Sequence, residues 1–310
     1  MSRKFPLAVA QMGPIHKADS RASAVRRLLE MLREAAGRGA RFVVFPELAL
    51  TTFFPRTWTT DLAEVDRYFE REMPGPETLP LFEEAKKRSI GFYLGYAELT
   101  QAGEHFNTAI LVDQSARIVG RYRKIHLPGH ADHKPKAPFQ HLEKKYFLVG
   151  NEGFKVWKTM DARIGMCICN DRRWPETFRV MGLQSVDVVA LGYNTPSSNI
   201  HWNEPPHLRM FHHLLSLQAN AYQNACWIGA AAKCGFEDGF HMFGGSAIVS
   251  PTGEIVAQAQ SEDDEVIFAN ADLALSDNFR QNVFNFATHR RPEHYKLIVE
   301  RVGAGEPLED

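Results

Sequence analysis

Two short apolar runs, Phe5-Pro-Leu-Ala-Val-Ala-Gln11 and Arg41-Phe-Val-Val-Phe-Pro-Glu47, bracket a segment in which Val25, Leu28, Leu29, Leu32 and Ala36 recur at helical spacing. The runs are short and bounded by turn residues, as buried strands are. Asp19 or Ser20 supplies an N-cap, and Gly37 and Gly39 stop the helix. Strand, helix and strand in so short a span read as a right-handed βαβ-type unit, and that places the chain in the α/β class.

The same alternation continues outward. Residues 76–88 read as a helix, 90–97 as a strand, and 109–112 with 118–122 as a hairpin. Residues 124–153, rich in Pro, His, Gly and Lys, show no period and read as a long functional loop. Then come a strand over 163–169, a helix opened by Pro175, a strand over 187–191, a helix over 207–225, a hairpin over 246–257 and a strand over 265–269. No repeat or linker divides the chain, so a single domain over 1–302 with a loose tail over 303–310 is expected.

Composition narrows the function classes. The 36 basic and 37 acidic side chains leave a net charge of −1, which gives no basic surface for nucleic acid and no polybasic membrane anchor. No apolar stretch approaches the roughly 20 residues of a membrane span, and the apolar run near the N-terminus is short for a signal peptide. Four cysteines are too few for a disulfide scaffold, so a reducing cytoplasm is expected. Cys167 and Cys169, with 13 histidines, raise the question of a metal, but Cys-x-Cys is not the common zinc spacing. No Gly-rich phosphate loop follows a strand. Neither metal nor cofactor is expected.

Three polar residues stand where apolar runs end: Glu47, Lys124 and Cys169. Each alone has an ordinary reading, as a surface charge or a small buried hydrophobe. Together they form a sufficient set for acyl transfer, with a carboxylate base, an ammonium to stabilise charge and a thiol nucleophile. Cys169 sits in a strand–turn–helix elbow, where helix amides can lower a thiol's pKa and bind an oxyanion.

Val44-Phe-Pro-Glu47, Tyr122-Arg-Lys124 and Cys169-Asn-Asp-Arg-Arg-Trp-Pro-Glu176 resemble the three catalytic blocks of the nitrilase superfamily of carbon–nitrogen hydrolases, in the same order. Within it, nearly the whole chain looks most like the N-carbamoyl-D-amino acid amidohydrolases. That likeness is carried by Phe45-Pro-Glu-Leu-Ala-Leu-Thr-Thr-Phe-Phe-Pro55, Lys124-Ile-His-Leu-Pro-Gly-His130, Pro138-Phe-Gln-His-Leu-Glu143, Gly192-Tyr-Asn-Thr-Pro196 and Phe211-His-His-Leu-Leu-Ser216.

The resemblance implies a four-layer α-β-β-α sandwich with two mixed sheets, assembled as a homodimer or homotetramer. It implies release of D-amino acid, carbon dioxide and ammonia from an N-carbamoyl-D-amino acid through a cysteine-linked carbamoyl-enzyme. Glu47 becomes the base, Lys124 the oxyanion stabiliser, Cys169 the nucleophile and Glu143 an assisting carboxylate. Arg172 and Arg173 are expected to grip the substrate carboxylate, since a guanidinium pairs bidentately with it. Asn170, Asn194, Thr195, His126 and His141 complete the expected binding set.

The chain departs from that pattern in the loops 131–137, 197–206 and 235–245, which are expected to shape the pocket for the amino acid side chain. Three readings compete: a β-ureidopropionase-like or L-specific carbamoyl hydrolase, an aliphatic amidase, and a non-catalytic interaction module.

Overall fold

The computed structural model describes residues 2–198 and 204–307. Fourteen strands are formed among them: β1 (Lys4–Gln11), β2 (Phe42–Val44), β3 (Gly91–Leu99), β4 (His105–Val112), β5 (Ile118–Arg123), β6 (Val156–Thr159), β7 (Ala162–Ile168), β8 (Val188–Tyr193), β9 (Trp227–Ala232), β10 (Cys234–Glu237), β11 (Phe240–Phe243), β12 (Ala247–Val249), β13 (Ile255–Gln258) and β14 (Glu265–Asp272). One mixed sheet runs β14-β1-β2-β3-β4-β5 and the other β13-β12-β9-β8-β7-β6, while β10 and β11 form a separate ribbon.

Period-two alternation buries the first sheet on both faces. In β1, Phe5, Leu7 and Val9 point to the inter-sheet core, and Ala8 and Ala10 point the other way. There they meet Leu28 and Leu32 of helix Arg21–Gly37 and Leu81 and Phe82 of helix Leu79–Arg88. Ser20 caps the first helix, its side chain accepting from the Ser23 amide. Phe178 and Met181 of helix Pro175–Leu183, with Leu217 and Ala221 of helix Pro206–Gln223, cover the far side of the second sheet. The result is the expected α-β-β-α sandwich.

The expected strand over 41–47 is shorter than its apolar run. Pro46 has no N–H to give a ladder, and Leu48 takes φ +47. β9 was not expected, because Trp227-Ile-Gly-Ala-Ala-Ala232 is poor in branched residues, yet every residue of it is buried. β6, the β10–β11 ribbon inside the 235–245 loop and helix Leu273–Gln281 were also not anticipated. The long 124–153 segment is ordered. Gly150 N donates to Lys124 O at 2.8 Å, His130 N to His141 O at 2.8 Å and Leu142 N to Pro55 O at 2.8 Å. Part of the 197–206 loop, residues 199–203, and the last three residues of the 303–310 tail lie outside the described residues.

The turn after β2 is driven between the sheets. A Cβ on Gly95 of β3 would lie 2.7 Å from Glu47 Cα, and one on Gly192 of β8 would lie 2.5 Å from Glu47 N. Two glycines, one per sheet, thus make room for a single carboxylate-bearing residue. Gly192→Ala should cost about 1–3 kcal/mol in denaturant unfolding, as overpacking of a tight core does. Gly37→Ala, where nothing lies within 4 Å, should not destabilise; equal urea midpoints for the two variants would contradict the clamp.

Candidate active site

Glu47, Lys124 and Glu143 meet in the interior, each fully buried. Lys124 Nζ donates to Glu47 Oε1 at 2.8 Å and to Glu143 Oε2 at 2.5 Å. Glu47 is held from all sides. Its Oε1 also accepts from Asn107 Nδ2 at 2.8 Å, its Oε2 from Asn194 N at 2.9 Å, and its carbonyl from Asn194 Nδ2 at 2.7 Å. Glu143 opens the short helix Glu143–Tyr146 and lies 3.3 Å from His141 Nε2. Two carboxylates share one ammonium, so the cluster carries one surplus negative charge away from water.

Cys169 is the first residue after β7, at the start of the 3-10 turn Cys169–Arg173, and takes φ +48. A non-glycine residue in that left-handed region is strained. Its Sγ lies 3.6 Å from Asn194 O, so Asn194 touches both the thiol and Glu47. The turn is tied down by Asp171, whose carboxylate accepts from Tyr122 OH at 2.7 Å, Ile168 N at 2.9 Å and His126 N at 3.0 Å.

Electrostatics follow from this burial. Loss of water raises the Glu47 carboxyl above its ordinary value; Lys124 opposes that and the like charge of Glu143 adds to it. Burial also acts on Glu143, but Lys124 and His141 outweigh it and hold its carboxyl low. Burial would deprotonate Lys124, yet the acidic groups around it, Cys169, Glu143 and Glu47, keep it charged. Burial and Glu47 push the Cys169 thiol up, while Lys124 and Arg172 pull it back. The site thus rests with a protonated thiol beside a carboxylate of raised proton affinity. That arrangement can transfer one proton, form a thiolate and meet a developing oxyanion with an ammonium.

The other expected residues divide. Asn194 and Thr195 are buried beside the cluster, Thr195 Oγ1 accepting from Arg172 Nη2 at 3.0 Å. His141 is half-buried, against Glu143. His126 faces Asp171, with Nδ1 2.8 Å from Oδ1, and its ring stacks on Trp174 and Phe154. Asn170 donates from Nδ2 to His126 O at 3.1 Å. Arg172 is buried, whereas Arg173 is exposed and makes no hydrogen bond or ion pair with any described residue. Crowding by protein and the like charges of Arg172 and Arg209 pull the Arg173 guanidinium down to about 10, so it is charged at neutral pH.

Asn107, Asp171 and Tyr122 were not among the expected site residues, although Tyr122 and Asp171 lie within the quoted blocks; Asn107, two residues before the apolar run 109–112, carried no such signal. Among the described residues, no group of three or more His, Cys, Asp or Glu side chains is arranged to hold a metal. No helix among the described residues is long and apolar enough to cross a membrane.

The carbon–nitrogen hydrolase family model matches residues 6–281. The chain belongs to that family. It is 29% identical to an N-carbamoylputrescine amidase from Oryza sativa subsp. japonica over 87% of each chain. It is 27% identical to a citrullinase from Francisella tularensis subsp. tularensis, covering 91% of this chain and 95% of the other. The crystal structure of a carbon–nitrogen hydrolase from Helicobacter pylori G27 superimposes with a TM-score of 0.83, at 22% identity, over 96% of this chain and 99% of that one. The nitrilase-superfamily resemblance therefore holds, and the protein is an amide or carbamoyl carbon–nitrogen hydrolase.

For Glu47 to act as a base it must be ionised, so on that reading the rate of this hydrolase should fall as pH drops through its pKa. Because that pKa is raised, the acid limb of kcat/KM should lie above pH 4.5, the ordinary carboxyl value. Glu143→Gln removes a like charge and leaves Lys124 to Glu47 alone, and both changes lower the Glu47 pKa. The limb should move to lower pH while the maximal rate falls roughly 10²-fold; a limb that moved up, or stayed in place, would contradict the coupling.

Proposed function

We propose that this hydrolase acts on N-carbamoyl-D-amino acids, with Cys169 as nucleophile, Glu47 as base and Lys124 as oxyanion stabiliser. The carrying observation is a buried Glu47–Lys124–Glu143 cluster beside a strained cysteine, with a guanidinium close by, Arg173, that pairs with none of the described residues.

The chemistry follows in order. Glu47 takes the Cys169 proton, and the thiolate adds to the ureido carbon. Lys124 neutralises the oxyanion. Collapse breaks the bond to the amino acid nitrogen, which leaves with the proton held by Glu47. A carbamoyl group remains on sulfur. Glu47 then deprotonates a water that adds to the carbamoyl carbon; collapse breaks the C–S bond, the sulfur takes the proton back from Glu47, and the released carbamate decomposes to carbon dioxide and ammonia. Glu143 keeps Lys124 charged and aimed throughout.

Arg173 favours an acidic substrate. A cation with no partner among the described residues would bind a free α-carboxylate and repel the terminal ammonium of a compound such as N-carbamoylputrescine. Citrulline is itself a ureido amino acid, so the likeness to a citrullinase agrees with a carbamoyl amino acid substrate. The D configuration rests on the likeness of the quoted segments to the D-carbamoylases. Association as a homodimer or homotetramer is part of the proposal, since helices Pro175–Leu183 and Pro206–Gln223 leave Val180, Leu183, Phe211 and Leu215 exposed. So is a cytoplasmic setting, in which the four unpaired, buried cysteines stay reduced.

Ammonia release from N-carbamoyl-D-, N-carbamoyl-L- and N-carbamoyl-β-alanine series tests the assignment. Turnover of the D series is expected, and preference for N-carbamoyl-β-alanine would overturn it. Cys169→Ala should abolish turnover while leaving the thermal melt in place. Arg173→Gln should raise KM at least tenfold for carboxylate substrates, as loss of a charge-assisted pair does; an equal loss on a neutral N-carbamoyl amino acid amide would assign Arg173 elsewhere.

A further inference from the structure

Arg172 and Arg173 are neighbours of one chemical type, and the turn sends them to different places. Arg172 has only 1% of its surface exposed. Its Nη1 donates to the carbonyl of Cys169 at 2.7 Å and lies 3.8 Å from Sγ, while Nη2 donates to Thr195 Oγ1 at 3.0 Å. The guanidinium carbon sits 4.7 Å above the ring of Tyr193. That ring is itself fixed, because its hydroxyl donates to Gly244 O at 2.9 Å and lies 2.9 Å from His213 Nε2. The backbone is anchored too: Asn220 Nδ2, on helix Pro206–Gln223, donates to Arg172 O at 2.9 Å.

The grip answers a need created by the nucleophile's own conformation. At φ +48 Cys169 is strained, and its carbonyl is turned inward, where a lost partner would leave a buried acceptor unsatisfied. A charge-assisted hydrogen bond to that carbonyl fixes the peptide plane and so the direction of the Cα–Cβ bond. The same cation lies beside the sulfur and favours its ionised form.

We propose that Arg172 is a positioning residue for the nucleophile, holding the Cys169 carbonyl and hence the aim of the sulfur, and that it does not bind the substrate carboxylate. This rests on Cys169 being the nucleophile. Asp171 braces the opposite side of the turn, so Cys169 stands between an anionic and a cationic anchor that are adjacent in sequence.

The test compares Arg172→Gln and Arg172→Lys. Two readings are taken: steady-state kinetics on an N-carbamoyl amino acid and its neutral amide, and the pH dependence of iodoacetamide alkylation of the Cys169 peptide without substrate. Cys169 is the least buried of the four cysteines, so alkylation reports on it first. R172Q should lower kcat about 10²-fold on both substrates, as a misaimed nucleophile does, with KM nearly unchanged. Its alkylation midpoint should rise by about one pH unit, which makes alkylation at pH 7 roughly tenfold slower. R172K keeps the charge, so its midpoint should return towards wild type while kcat stays low. A normal kcat and alkylation profile, with KM raised only for the carboxylate substrate, would overturn the proposal. If R172Q does not fold, R172K alone decides by the same split between kcat and KM. Turnover surviving in Cys169→Ala would instead remove the nucleophile reading itself, a separate failure.

Discussion

One ammonium shared between two carboxylates, all three buried from bulk solvent, is the constraint on which this site depends. Lys124 bonds Glu47 and Glu143 in the space between the sheets and their flanking loops. Removing such groups from water costs several kcal/mol per ion even after relaxation, and pairing repays that only with good geometry, so stability alone is a poor reason to keep the cluster. The cost is met by order. Gly95 and Gly192 admit the Glu47 backbone, Asn107 and Asn194 occupy its remaining acceptors, and Gly150 brings the long loop against the Lys124 carbonyl. The sandwich is in this sense a frame that keeps an expensive charge arrangement from relaxing.

What the arrangement gains is a thiol and a carboxyl whose proton affinities are both raised within one buried site. A lone carboxylate in water would be too weak a base for a thiol whose own pKa burial has raised. Moving both groups into the same interior raises the carboxyl as well, and Lys124 then favours the state in which negative charge sits on sulfur or on a substrate oxygen. Asn194 touches Glu47 through its amide and the thiol through its carbonyl, so one residue fixes the carboxylate relative to the sulfur. The strained Cys169 backbone points the sulfur into this field, and Asp171 and Arg172 hold the turn from either side.

Much of this was legible in the sequence because of where the residues fall. Glu47, Lys124 and Cys169 each follow an apolar strand, and strand ends are where an α/β fold puts its chemistry. The βαβ start was equally plain from the period of Val25, Leu28 and Leu32. Glu143 lies in a segment with no period, so only resemblance pointed to it. Asn107 was hidden because a polar residue within a strand reads as a solvent face, whereas here it points at Glu47. β9 escaped because alanine and glycine suit a crowded inter-sheet layer without announcing a strand. Arg172 and Arg173 could not be separated by residue type; a turn begun at φ +48 sends one inward and leaves the other exposed.

The central claim is that this buried field creates a cysteine nucleophile that takes up the carbamoyl carbon. Intact-protein and peptide mass spectrometry of enzyme quenched in acid during steady-state turnover tests it directly. The account predicts an added mass of one carbamoyl group on the peptide carrying Cys169, the same whichever amino acid was supplied, and none on the other cysteines. Turnover with no adduct at Cys169, or an adduct whose mass follows the amino acid, would contradict it.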